Sequence, residues 1–179
     1  FFRQALAIQM GAEPGMEAKI LYQRLQNEQA GKDLGNLPAS LMPFIGRKQE
    51  LDELWSWLRN PNRRLICVLG PGGCGKTRLA LEAAQKQRYY FRDGIYFISL
   101  SAYQTGNPAW PLLAEALRLP VREKQDPEQQ VFDYLGEKQA LLLFDSFEAA
   151  LERTPWLADL LQRAPRLTAL VTSRARLEI

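Results

Sequence analysis

Residues Gly70 to Thr77 read GPGGCGKT and satisfy the pattern G-x-x-x-x-G-K-[ST] at each fixed position. Glycines at this spacing let backbone N–H groups turn inward around a phosphate, and a helix starting directly afterwards adds positive potential. In such a loop Lys76 reaches β- and γ-phosphates, and the Thr77 hydroxyl ligates Mg²⁺. A glycine-rich turn holding a lysine by coincidence would carry the same letters. The apolar run before it (RLICVLG) and the helix-forming run after it (TRLALEAA) favour the phosphate loop. Cys74, inside the loop, is either a redox-sensitive position or a small residue filling a variable slot.

Two further stretches fit the same chemistry. ALLLFD, residues 140–145, is an apolar run ending in Asp145, whose carboxylate can hold Mg²⁺ through water. An aspartate there could equally cap a following helix. Many hydrolysing ATPases place a water-orienting glutamate directly after this aspartate; here the position is Ser146. Glu148 is the nearest carboxylate, either catalytic or a solvent-facing helix residue. ALVTSRARL, residues 169–177, carries Thr172, Ser173 and Arg174 at the end of another apolar run. An arginine there can bind a γ-phosphate in the triphosphate state and lose it in the diphosphate state, provided its strand lies beside the loop strand. Otherwise it is a surface cation.

These residues need a scaffold that brings strand ends together. Near-continuous apolar runs at RLICVLG, GIYFISL, ALLLFD and RLTALVTS alternate with helical stretches after Thr77, at 109–119, at 127–137 and at 155–163. That alternation predicts a parallel sheet covered by helices on both faces, an α/β fold. FIGRKQELDELWSWLRNP predicts a helix from about Arg47 that Pro61 ends, with Leu51, Leu54, Trp55 and Leu58 buried. Residues 1–29 read as a short helical segment, 30–43 as a linker rich in glycine, proline and small polar residues, and 44–179 as the α/β core.

Composition excludes several functions. The 179 residues contain no histidine, which removes Ser-His and Cys-His triads and most zinc sites. A formal net charge of +3, with basic and acidic residues interspersed, does not read as a nucleic-acid stripe. No apolar run approaches the ~18 residues of a membrane span, and two cysteines, Cys67 and Cys74, fit a reducing cytoplasm. The chain opens FFRQALAIQM without an initiator methionine and reads as a piece of a longer protein.

Taken in order, PFIGRKQEL, GPGGCGKTRLA, LLLFDSFE and LVTSRARL resemble the STAND class of P-loop ATPases. These are signal-transducing ATPases related to the NB-ARC modules of apoptotic and plant-immunity switches. The similarity is greatest to the bacterial branch found in large transcriptional regulators, and it covers about residues 41–179. It implies a P-loop NTPase core of three α/β/α layers, with the LVTSR strand between the loop strand and the Asp145 strand. It also implies that Phe44, Ile45, Gly46 and Arg47 lie against the adenine, and that Arg174 is the sensor. The family commonly has Asn or Asp where Ser146 stands, and its helical and winged-helix lid regions fall outside this sequence. MGAEPGMEAKILYQRL, residues 10–25, resembles the end of a bacterial transcriptional activator domain of tetratricopeptide type.

The expected ligands are therefore ATP or ADP with Mg²⁺. The nucleotide set is Phe44 to Arg47, then Gly70, Pro71, Gly72, Gly73, Cys74, Gly75, Lys76, Thr77 and Arg78. Lys76, Asp145, Glu148 and Arg174 are the catalytic candidates, and Thr77 and Asp145 the metal ligands. The expected function is a nucleotide-controlled switch in a transcriptional regulator, with slow hydrolysis resetting it. Homo-oligomerisation of the full-length protein and DNA contacts through domains outside this chain accompany that expectation; a membrane does not. A small-molecule phosphotransferase and a structural module with a dead site are the alternatives. No N-K-x-D element favours guanine.

Overall fold

A computed structural model of the chain describes residues 35–39, 42–101, 109–120, 126–153 and 155–177. The chain divides into two units, Phe1–Asp33 and Leu34–Ile179, and every described residue belongs to the second. The helical segment expected at 1–29 lies outside the described residues.

The elements follow the alternation of the sequence: α1 (Lys48–Leu58), β1 (Leu65–Leu69), α2 (Lys76–Lys86), β2 (Ile95–Ser99), α3 (Trp110–Ala116), α4 (Pro127–Leu135), β3 (Leu141–Asp145), a 3₁₀ helix (Phe147–Arg153), α5 (Pro155–Arg163) and β4 (Thr168–Ser173). The strands form one parallel sheet in the order β1-β4-β3-β2. Central β4 is buried along its whole length and β3 along all but Asp145, which is why both read as unbroken apolar runs. Edge strand β1 is less covered, and Leu69 at its end is exposed.

Alternate side chains point to opposite faces of the sheet. Leu141, Leu143, Leu170 and Ile66 pack with Leu51, Leu54 and Leu58 of α1 and Leu79, Ala80 and Ala83 of α2. Leu142, Phe144, Ala169 and Val171 pack on the other side with Leu113 of α3, Val131 and Leu135 of α4, and Leu157 and Leu160 of α5. The result is three layers, α/β/α. An aromatic cluster of Trp110, Phe144, Phe147 and Trp156 fills the second face, with successive centroids 5.4 to 5.9 Å apart.

Helix boundaries depart from the sequence expectation for local reasons. α3 ends at Ala116 rather than near 119 because Arg118 adopts a left-handed φ of 54°. Leu119 N–H then bonds Ala114 O and Arg118 N–H bonds Glu115 O, the Schellman pattern that closes a helix. α4 starts where Asp126 accepts from Glu128 N–H, with Pro127 at the first helical position. The residues after Asp145 wind as a 3₁₀ helix.

Residues 35–37, within the stretch read as a linker, run along the free edge of β2. Gly35 bridges Ile95 in parallel, and Asn36 N–H donates to Ile95 O at 3.3 Å. The Asn36 side chain accepts from Phe97 N–H at 2.5 Å and donates to Phe97 O at 2.9 Å. One amide thereby fills both backbone positions of an edge that would otherwise be open to pairing. Gly35 has φ of 138°, and a Cβ there would fall 2.1 Å from Ile95 O. Gly35→Ala is therefore expected to lower unfolding free energy by about 1–3 kcal/mol, read by denaturant titration. An unchanged midpoint would show that this pairing contributes nothing.

Candidate functional site

The loop Gly70–Gly75 connects the C-terminal end of β1 to the first turn of α2. Gly73 and Gly75 have φ of 76° and 82°, the left-handed region that glycine enters without steric cost. Lys76 is buried, and its ammonium donates to Gly70 O and Pro71 O, both at 2.9 Å. The lysine is thus held across the loop. No acidic residue occupies the first turn of α2, so the positive end of the helix faces the loop uncompensated. Cys74 is exposed, and a Cβ on Gly70 would lie 2.9 Å from its Sγ. Rotation of the exposed Cys74 side chain would relieve that contact. Cys67, half-buried on β1, has its thiol pushed up by burial.

Beside the loop, three elements meet at Asp145. Its Oδ1 accepts 2.6 Å hydrogen bonds from Thr77 Oγ1 of α2 and from Thr172 Oγ1 of β4. Thr172 Oγ1 in turn accepts from Ser146 N–H at 3.2 Å. Ser146 has φ of 59°, a left-handed conformation that Asn and Gly adopt more readily than Ser. Thr77 and Asp145 fit Mg²⁺: two hard oxygens converge beside the phosphate loop. Among the described residues, no cluster of three or more acidic, His or Cys side chains exists to enclose a metal. Mg²⁺ needs none, since it keeps several waters and takes substrate phosphate oxygens. Thr172 was given no role of its own by the sequence. Its only signal was a hydroxyl placed two residues before the arginine.

Arg174 follows β4 and turns back toward the loop. A Cβ on Gly72 would lie 3.5 Å from the guanidinium carbon. Glu148 of the 3₁₀ helix holds the arginine twice: Arg174 Nε lies 3.2 Å from Oε1, and Arg174 N–H donates to Oε2 at 3.2 Å. The structure thus brings Lys76, Thr77, Asp145, Glu148 and Arg174 together at the C-terminal edge of the sheet.

The segment preceding α1 is tied to the loop by two arginines. Arg78 of α2 donates to Met42 O at 3.3 Å and Pro43 O at 2.6 Å, and its guanidinium lies 5.9 Å from the centre of the Phe44 ring. Arg47, left-handed at φ 52°, donates to Cys74 O and to Glu50, both at 3.0 Å. That hydrogen bond holds the Glu50 carboxyl below the ordinary carboxylate range. Between segment and loop lies a cavity of about 350 Å³ lined by Pro43, Phe44, Ile45, Arg47, Gly75 and Arg78 among others. It is large enough for a purine ring and mostly apolar, as ligand pockets are. Gly46 stands apart, exposed and with open space where a Cβ would be.

Thr172→Val removes a donor to Asp145 and the acceptor of Ser146 N–H. It is expected to cost about 1–3 kcal/mol in unfolding free energy, while Thr172→Ser restores most of it. Equal stability of the valine and serine variants would contradict the bridging role.

A family model described as an ATPase domain predominantly from Archaea matches residues 44–153. An uncharacterized protein of Mycobacterium tuberculosis is 31% identical over 134 residues, covering 74% of this chain and 34% of that protein. A second protein of that species, named as an HTH-type transcriptional regulator, is 32% identical over 112 residues, 62% of this chain and 12% of its own length. Regulatory protein AfsR of Streptomyces griseus is 28% identical over 200 aligned positions, 98% of this chain and 20% of its own length. The chain thus spans about a third or less of these relatives. Among solved structures, C. elegans PCH-2 aligns with a TM-score of 0.43 and 18% identity over 71% of this chain and 37% of that one. Because the family model runs from Phe44 through the loop and the Asp145 strand to Arg153, it accounts for more than half of the sequence, and the chain belongs to this family of ATPase domains.

Proposed function

We propose that the chain is the adenine-nucleotide switch module of a transcriptional regulator of the STAND class, reading the terminal phosphate and hydrolysing ATP slowly. One observation carries the reading: Arg174, leaving the strand between β1 and β3, stands against Gly72 of the phosphate loop. A guanidinium there can gain a partner with ATP and lose it with ADP. The regulator names of two relatives support the wider role. In that role the full-length protein assembles with copies of itself in the cytoplasm and meets DNA through other domains.

Each residue has a definable task. Lys76 exchanges the carbonyls of Gly70 and Pro71 for β- and γ-phosphate oxygens, while the loop N–H groups and the α2 terminus hold the remaining phosphate charge. Thr77 and Asp145 hold Mg²⁺, which supplies neutralisation of the phosphate charge. The base is received in the cavity beside Phe44, where the Arg47 and Arg78 bonds fix the segment against the loop. Slow hydrolysis is supported by Ser146 standing where a water-orienting glutamate would be. Glu148, the nearest carboxylate, has both oxygens on Arg174.

Equilibrium titration with ATP, ADP and GTP in the presence of Mg²⁺ tests the reading. Adenine nucleotides are expected to bind in preference to GTP, and Lys76→Ala to weaken ATP binding at least ~10-fold. Chelating Mg²⁺ should weaken ATP more than ADP, and turnover should stay well below ~1 s⁻¹. Brisk steady-state hydrolysis, or ATP binding unaffected by Lys76→Ala, would contradict it.

A further inference from the structure

Glu148 is the first carboxylate in sequence after Asp145, which makes it a candidate for the group that activates water. We infer instead that it is a positioning residue, which aims the Arg174 guanidinium at the terminal phosphate and so sets the preference for triphosphate over diphosphate. This role rests on the nucleotide-switch reading and adds to it a residue through which the sensor works.

Three observations carry the inference. The first is that both carboxylate oxygens serve one residue. Oε2 accepts the Arg174 backbone N–H at 3.2 Å and Oε1 meets Nε at 3.2 Å, so a single side chain fixes the turn after β4 and the edge of the guanidinium together. The second is the direction this leaves free. With Nε engaged, the guanidinium lies against the loop, with Nη2 3.7 Å from the Gly72 Cβ position. Among the described residues no hydrogen bond engages either Nη. A guanidinium fork with those N–H groups free matches the spacing of phosphate oxygens.

The third observation is mechanical. The Arg174 side chain is 67% exposed and alone would sample many rotamers, whereas Glu148 is only 27% exposed. The residue before Glu148, Phe147, is fully buried and packs on Phe144 and Trp156 at 5.8 and 5.9 Å. Ser146, one residue further back, is tied to Thr172. The carboxylate is therefore mounted on the core, and the arginine borrows that rigidity. A water-activating base needs an oxygen turned to the water, and both oxygens of Glu148 are turned to Arg174.

The test measures ATP and ADP dissociation constants with Mg²⁺ and the single-turnover hydrolysis rate at saturating ATP. The proteins are the wild type, Glu148→Ala, Glu148→Gln, Arg174→Ala and the Glu148→Ala/Arg174→Ala double variant. Arg174→Ala is expected to reduce the ATP-over-ADP preference about 10-fold or more. Glu148→Ala should reduce it about 2- to 5-fold with ADP affinity at the wild-type level, which also reports an intact fold. Glu148→Gln, which keeps one acceptor, should fall between, and it decides the matter if the alanine variant does not fold. In the Arg174→Ala background the Glu148 substitution should change nothing further. A Glu148→Ala variant that keeps the ATP preference but loses hydrolysis would overturn the role in favour of a base. Equal loss of ATP and ADP affinity, or an undiminished effect without Arg174, would overturn it as well. Wild-type protein that binds neither nucleotide would overturn the switch reading itself, and this role with it.

Discussion

A single carboxylate oxygen, Asp145 Oδ1, receives 2.6 Å hydrogen bonds from Thr77 and Thr172, and the geometry of the site follows from that junction. Hydrogen bonds to a carboxylate are shorter and roughly twice as strong as neutral ones. These two tie α2 and β4 to the end of β3. The parallel sheet makes the junction possible, because every strand ends on the same edge: Asp145 pairs with Ser99, and Ser173 with Leu69. Ligands of open α/β sheets lie outside such carboxyl ends. With Thr172 held at Asp145, Arg174 two residues later can only emerge beside the loop that leaves β1. The order β1-β4-β3 is thus what converts a sequence separation of just over a hundred residues into close approach of Gly72 and Arg174.

A second set of bonds places the residues that precede α1. Asn36 fastens one end of this stretch to β2, while Arg78 and Arg47 fasten the other to the phosphate loop. The cavity beside Phe44 exists because of the second attachment, since one of its walls is the 42–47 segment and the other the loop. Residues 35–39 and 42–47 therefore belong to the α/β core in their bonding, although glycine, proline and small polar residues give them the composition of a connection.

Much of this was legible in the sequence, and the physical reasons separate what was from what was not. Strands buried on both faces must be apolar throughout, so central β3 and β4 stand out as unbroken runs and the edge strands β1 and β2 as mostly apolar ones, and the spacing of Gly70, Gly75, Lys76 and Thr77 is fixed by phosphate geometry. The position of β4 inside the sheet came from resemblance, because an apolar run does not encode its neighbours. The Glu148–Arg174 pair and the Thr172 bridge are long-range and rest on ordinary surface-type residues, which carry no local signal. The left-handed turn at Ser146 was hidden because serine is not the residue such a turn favours. Asn36 was obscured by its surroundings, since an asparagine in a glycine- and proline-rich stretch reads as a turn residue rather than as a cap on a strand edge. The end of α3 was similarly concealed by an arginine, Arg118, in a position that usually belongs to glycine.

The central claim is that the terminal phosphate is read by the end of β4. Amide hydrogen exchange of the chain, compared between saturating Mg²⁺–ATP and Mg²⁺–ADP, tests it directly. The account predicts that both nucleotides protect the phosphate loop and the start of α2. Only ATP should add protection across residues 172–177 and the 3₁₀ helix that holds Glu148. Identical protection of those two segments in ATP and ADP, with the loop protected in both, would contradict it.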